Sequence, residues 1–228
     1  VSYCPGNAIE FNPEQQDIPH VSEELCFECG LCRQLHFCPT EAFVEEEEVG
    51  KFPRVLRPLF SNPNTTHRHT LVPGRGTEEC KTNDVTGRTR RGEVGICIEF
   101  GRPGVGCLLG DISIMTKKLK EQGIQFEQKN PLSALIEPDT GGFSDEVQSQ
   151  RILSGIIEIK VPSSDLERIM PTIMEVSREI ETVFSLSVIS QYDERGSVPI
   201  LERLTQLGIS TPVNAKINVG LGRPRAEN

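Results

Sequence analysis

Three cysteines at successive two-residue spacing, Cys26-Phe-Glu-Cys29-Gly-Leu-Cys32, are the part of this 228-residue chain best suited to chemistry. Such a loop can wrap three thiolates around one small object with its backbone amides turned inward, and Gly30 supplies the tight turn this needs. Two Cys-Pro units flank it, Cys4-Pro5 upstream and Cys38-Pro39 downstream. A cuboidal iron–sulfur cluster takes four thiolates around one centre. Zinc, the alternative, prefers two separated ligand pairs in a tetrahedral shell. One run of three cysteines plus two Cys-Pro units matches a cluster better than that pattern. Of the eight cysteines, the four from Cys26 to Cys38 lie too close together for a spread of disulfide loops. A reducing, cytoplasmic setting suits them.

Residues 1–44 resemble a bacterial-type ferredoxin module. In that family the half-motif C-x2-C-x2-C-x3-C-P is duplicated, and the cysteine before proline ligates the cluster held by the other half. Cys4-Pro5-Gly-Asn-Ala-Ile9 is similar to the end of a first half, and Cys26 to Phe43 to a whole second half. The resemblance implies one [4Fe–4S] cluster on Cys4, Cys26, Cys29 and Cys32. By the same logic Cys38 belongs to a second cluster, whose triplet would precede Val1. Five residues rather than three separate Cys32 from Cys38. Three roles therefore stay open for Cys38: a free or structural thiol, a substitute fourth ligand, or a ligand of a second cluster.

Weaker constellations lie further along. Gly101, Gly104, Gly106 and Gly110 fall between a strand pattern and a helix pattern, where free N–H groups and the helix dipole can cradle an anion. The G-x-G-x-x-G order and the P-loop Lys-Ser/Thr pair are missing, so a tight packing turn competes. Cys107 is near that helix start, where the dipole lowers a thiol pKa; a small core residue is the other reading. Cys97 falls opposite the apolar face of its strand, and Cys80 lies in a polar loop. His67-Arg68-His69 puts two imidazoles on one face of an extended segment, with no third ligand indicated. Arg75, Lys81, Arg88, Arg90, Arg91 and Arg102 suit either an anionic cofactor, substrate or partner, or a solvated face. Gly101-Arg102-Pro103 and Gly222-Arg223-Pro224 each end an alternating strand, so Arg102 and Arg223 would meet if those strands were neighbours. The candidate anion-binding residues are thus Arg75, Arg88, Arg91, Arg102, Gly104, Gly106 and Arg223. No G-x-S-x-G and no paired acid/base motif occurs.

The elements that must position these groups follow from periodicity. Residues 45–92 are rich in Pro, Gly, Thr, Asn and Arg and read as an extended linker or wrapping segment; its Val55, Leu56, Leu59 and Phe60 can pack onto a neighbour. Alternation predicts a strand over Val94 to Phe100, then a helix from Asp111 to Gln122 stopped by Gly123, and a short strand over Ile124 to Gln128. A second unit begins with a strand over Ser154 to Val161. Its helix follows a capping box at Ser164-Asp-Leu-Glu167 and runs to Ile180, with Pro171 early in it. A strand over Val183 to Gln191, a helix over Val198 to Leu207 and a last strand over Asn214 to Leu221 complete the order. The fold expected is α+β: the iron–sulfur module at 1–44, the linker at 45–92, and at 93–228 a ferredoxin-like βαβ-βαβ sandwich with an extra C-terminal helix and strand. That element order is also that of ACT-type regulatory domains.

With 36% hydrophobic residues, 5% aromatics and no Trp, a core must rest on Ile, Leu and Val. The net charge of −9 argues against nucleic acid, which needs a basic footprint, and suits docking to a basic partner. No apolar run approaches the roughly 18 residues that span a bilayer. An electron-transfer subunit or accessory partner of a redox enzyme is the leading expectation, because the chain lacks a catalytic motif that would favour a stand-alone enzyme. A ligand-binding or redox-sensing regulatory protein is the first alternative. An enzyme using the cluster on an anionic substrate at the Arg-rich segment is the second. The partners these features allow are a redox enzyme or other electron donor or acceptor, a small anionic ligand, and further copies of the chain.

Overall fold

The computed structural model describes residues 2–11, 18–36, 38–66, 87–101 and 105–212. The protein is mixed α+β, with small antiparallel sheets and six α-helices among the described residues. In the N-terminal segment, β1 (Ile9–Phe11) pairs with β2 (Pro19–Val21), and the short helix α1 spans Leu31–Gln34. A 3-10 turn at Glu47–Gly50 leads to helix α2 at Leu56–Ser61. The larger unit follows: β3 (Glu93–Phe100), β4 (Cys107–Leu108), α3 (Leu109–Glu121), α4 (Asp145–Gln148), β5 (Arg151–Ile152), β6 (Gly155–Pro162), α5 (Leu166–Val176), β7 (Phe184–Ile189) and α6 (Ile200–Gln206). None of the described helices is long and apolar enough to cross a membrane.

The main sheet has the order β6-β3-β7, with β3 in the middle and both pairings antiparallel. Strand period places Val94, Ile96, Ile98 and Phe100 on one face, and each is fully buried. Across β6 the same face carries Val161, Ile159 and Ile157; across β7 it carries Val188, Leu186 and Phe184. The Phe100 and Phe184 rings meet at 5.3 Å between centroids. Helix period supplies the opposing layer, Leu109, Ile112, Met115 and Leu119 from α3 with Leu166, Ile169, Met170 and Ile173 from α5. The Asp111 carboxylate accepts the Leu108 N–H at 3.3 Å, fixing the start of α3. Gly123, at φ +74°, ends that helix by donating its N–H to Lys120.

Several local expectations are revised. The segment around residue 56 is helical, and Leu56 and Phe60 belong to the main core cluster. The expected strand at Ile124 to Gln128 reduces to one antiparallel bridge, Phe126 to Ile159, because the chain turns at Glu127, whose carbonyl takes the Asn130 N–H. No capping box forms at Ser164. A 3-10 turn, Ser163–Asp165, precedes α5, which has no side-chain cap. The Glu167 carboxylate instead accepts two hydrogen bonds from Arg203 of α6, a fork that outweighs one backbone N–H. The last strand expected, at Asn214 to Leu221, lies outside the described residues.

Ile98 sits between Ile157 and Leu186 in register with no exposed surface. Ile98→Ala is expected to lower unfolding stability by about 3 kcal/mol, read from urea titration, whereas Met174→Ala, on an exposed position, should stay within about 0.5 kcal/mol. Glu93 gives a pH signature. Burial opposes its ionisation, but the Arg90 N–H and the Lys160 ammonium outweigh it and hold the carboxyl below its ordinary value. Its contribution is therefore complete above the unfolded pKa and is lost as pH falls through the folded one. Glu93→Gln should reduce the steepness of the acid limb below about pH 5, measured as unfolding stability against pH for the two proteins side by side.

Candidate metal centre

The loop from Cys26 to Cys32 owes its shape to two left-handed residues, Glu28 at φ +53° and Gly30 at φ +70°. Gly30 precedes α1, so Cys32 stands on the first turn of a helix while Cys26 and Cys29 stand on the loop before it. Cys4 arrives from a separate turn, in which the Asn7 N–H bonds the Cys4 carbonyl at 3.2 Å, just ahead of β1. The Ser22 N–H to Ala8 carbonyl bond, at 2.7 Å, ties the end of β2 to the start of β1 and carries the chain back towards the loop.

These turns bring Cys29 and Cys32 within electrostatic reach of Cys26, and Cys4 within reach of Cys29 and Cys32. Burial pushes the Cys26 thiol up to about 11, with Cys29 and Cys32 adding to the effect. Burial also raises Cys29, helped by Cys32 and Cys4, and raises Cys32, helped by Cys4. At Cys26 a backbone amide acts in the other direction, the Glu28 N–H donating to the sulfur at 3.4 Å. The Ala8 N–H donates to the Cys4 sulfur at 3.2 Å. Cys38 has separate partners, the Thr40 hydroxyl at 3.3 Å and the Ala42 N–H at 3.4 Å, and the Thr40 contact holds its thiol below the ordinary value. Among the described residues no three His, Cys, Asp or Glu side chains converge at coordinating distance. As a donor set, four neighbouring thiols fit soft thiolate-bound iron or zinc, and binding there would release their protons.

A set of contacts not foreseen from the sequence fixes this loop to the larger unit. Phe27, 3% exposed, lies against Gly6 and Gly106; a methyl group on Gly106 would come within 2.2 Å of the ring. Arg57 of α2 donates to the carbonyls of Glu23 and Cys26 and to the Gln150 amide oxygen. Arg54 binds the carboxylates of Glu28, Glu23 and Glu46, at 2.6, 3.1 and 2.8 Å. Arg151 reaches the Glu24 carbonyl at 3.3 Å. The sequence signal was present in the Arg54-Val-Leu-Arg57 spacing, which puts both guanidinium groups on one side of a helical turn.

The anion-binding candidates divide. Gly106 faces Phe27, its N–H bonds the Gly101 carbonyl at 3.2 Å, and its carbonyl accepts from Thr182. Arg88 pairs with Glu127 at 3.0 Å and lines a cavity of about 190 Å³ on the sheet face away from the helices, with Cys97, Glu158 and Lys160. Arg91 is elsewhere, 3.9 Å from Glu194. Arg75, Arg102, Gly104 and Arg223, with Cys80 and the His67–His69 pair, lie outside the described residues. Cys107 is buried, and burial together with the Asp111 carboxylate pushes its thiol up, against the lowering expected from the helix start.

Charge is distributed very unevenly. Residues 1–50 carry eleven acidic side chains against the single basic Arg33, a net −10. The remaining residues hold 22 acidic and 23 basic side chains and sum to +1. In comparisons with known proteins, no family model matches the chain, no curated protein matches its sequence and no solved structure matches its fold.

The Phe27 contact makes a coupled prediction. Gly106→Ala, with φ +70° and the ring in the way, should cost roughly 1–3 kcal/mol. Phe27→Ala should cost roughly 3–5 kcal/mol. In the double variant the Gly106→Ala penalty should shrink, because the obstructing ring is gone; a double-mutant cycle in denaturant measures this, and strict additivity would contradict the contact.

Proposed function

We propose that residues 1–44 hold one [4Fe–4S] cluster on Cys4, Cys26, Cys29 and Cys32, and that the protein passes electrons as a subunit or accessory partner of a redox enzyme. The observation that carries this reading is the neighbourhood of the four thiols. Cys4, over twenty residues before the loop, acts electrostatically on Cys29 and Cys32, while Cys38, only six residues after Cys32, bonds to Thr40 and Ala42. When bound, the cluster supplies a one-electron couple whose potential responds to nearby charge and to hydrogen bonds on sulfur. The chain's own part is to present thiolates, to donate the Ala8 and Glu28 amides to sulfur, and to keep the loop packed by Phe27. The seven described cysteines are all free thiols, which agrees with a reducing, cytoplasmic compartment. The net −10 of residues 1–50 favours a partner that offers a basic face.

The larger unit is read as a ferredoxin-like sandwich. Counting the Phe126 bridge, the sheet has the order 126-β6-β3-β7, all antiparallel, as a split βαβ repeat requires. Its cavity beside Arg88 favours a second reading, a regulatory domain for a small charged ligand, in which the cluster reports redox state.

Anaerobic purification with iron and sulfide analysis, followed by EPR of the reduced protein, tests the proposal. About four irons and four sulfides per chain are expected, with a reversible EPR signal. Cys4→Ser should lose most of the iron and Cys38→Ser should keep it. Zinc without inorganic sulfide would overturn the assignment, and retention of the cluster by Cys4→Ser would overturn the ligand set. A ligand-dependent thermal shift with the cluster held oxidised would favour the regulatory reading.

A further inference from the structure

Among the described residues Arg57 is the only Lys or Arg that is buried, at 8% exposure. Its three acceptors are all neutral: the Glu23 carbonyl, the Cys26 carbonyl at 3.0 Å and the Gln150 amide oxygen at 2.9 Å. No carboxylate among the described residues forms an ion pair with it. The carboxylates of Glu23 and Glu28, whose field also reaches Arg57, are engaged by Arg54, which has a third partner in Glu46. Two arginines three residues apart thus have opposite environments. Arg54 is neutralised by direct ion pairs; Arg57 is buried with neutral hydrogen-bond acceptors and feels those carboxylates only at a distance. A buried cation is strongly unfavourable unless an anion accompanies it.

The thiolate site can supply further compensation. Arg57 bonds the carbonyl of Cys26 itself, and the Cys26 thiol lies within its field. Once four thiols ligate as thiolates, the site carries net negative charge, and it gains one more negative charge on reduction. We infer that Arg57 is the charge-compensating, positioning residue of the thiolate site: it orients the Cys26 end of the loop through the carbonyl, and its charge stabilises the occupied site, most of all when reduced. Gln150 extends the link, because its carbonyl accepts the Leu109 N–H at 2.9 Å and so connects the loop to the start of α3. This role rests on the proposed cluster and adds to it the source of the charge that balances the site.

The test uses the full chain with its cluster reconstituted anaerobically, and reads the midpoint potential by EPR-monitored redox titration together with the Tm of the apo and loaded forms. Arg57→Gln and Arg57→Met remove the charge, the second keeping the apolar stem; Arg57→Lys keeps the charge and loses the fork. The neutral variants should shift the reduction equilibrium at least tenfold towards the oxidised form, a move of 59 mV to more negative potential. They should also lose more Tm in the loaded form than in the apo form. Arg57→Lys should hold the wild-type potential while losing Tm, and Arg54→Gln should move the potential much less than the neutral Arg57 variants. Equal Tm losses in both forms with an unchanged potential would make Arg57 a structural tie alone and overturn the inference. If neither neutral variant folds, an Arg57→Lys potential displaced as far as tenfold would overturn it. Wild-type protein without iron and sulfide would instead fail the cluster proposal itself, before any variant is made.

Discussion

The space above Gly106 and beside Gly6 is filled by one aromatic ring, and much of the rest of the structure follows from that contact. Phe27 sits between Cys26 and Cys29, so anchoring it anchors the loop that carries the thiols. Both glycines are needed: a side chain at Gly6 would strike the Leu25 carbonyl at 2.5 Å, and one at Gly106 would strike the ring. The Gly-rich turn after β3 is thereby given a steric purpose. It leaves room for a residue from the far end of the chain, where an anion cradle would need free N–H groups.

Electrostatic organisation follows the same division. A surface with net −10 in its first fifty residues repels itself, and the basic groups that relieve it come from the next segment and from the larger unit. Arg54 collects three carboxylates, Arg57 takes the carbonyls of Glu23 and Cys26, and Arg151 takes that of Glu24. Helix α2 is only six residues long, too short to be stable alone, but Leu56 and Phe60 bury one side of it in the core. Its other side is then held at a fixed distance from the cysteine loop. Exposed ion pairs contribute little individually. A network around one well-buried guanidinium group gives orientation more than stability.

Much of the larger unit was legible because its signals are local. The alternation at Val94 to Phe100 and the 3.6-residue stripe at Ile112, Met115 and Leu119 each mark one buried face, and the structure buries those faces. Gly123 and Gly208 stop their helices at φ +74° in each case, a conformation that glycine adopts without strain. Illegible features were those decided by a distant partner. Glu167 has the spacing of a capping box but binds Arg203, and residues 124–128 have strand character but turn away after one bridge. Helix α2 looked like an extended segment because Pro53, Pro58 and Pro63 dominate its surroundings, although Leu56 and Phe60 were expected to pack onto a neighbour, as they do. The cysteine spacing pointed to the thiols, whereas the Phe27 contact gave no motif to read and Arg57 gave only its spacing from Arg54.

What orders the cysteines is then a question of how little core they have. Within residues 2–44 only Ala8, Ile9 and Phe27 are buried among the described residues, and one of these three is buried against the larger unit. Segments of this size rarely bury enough apolar surface to offset the entropy of ordering; metals, disulfides or docking must contribute. The described cysteines form no disulfide with one another. Docking is visible in Phe27 and Arg57, yet burial raises the Cys26, Cys29 and Cys32 thiols, and the docked Arg57 is buried with no carboxylate in a direct ion pair among the described residues. Both features cost free energy. Under the proposed cluster both would be offset, because proton release and charge compensation would occur together at one place. Raised thiols and a buried guanidinium group, together in a segment with so little core, are the physical support for the proposed cluster.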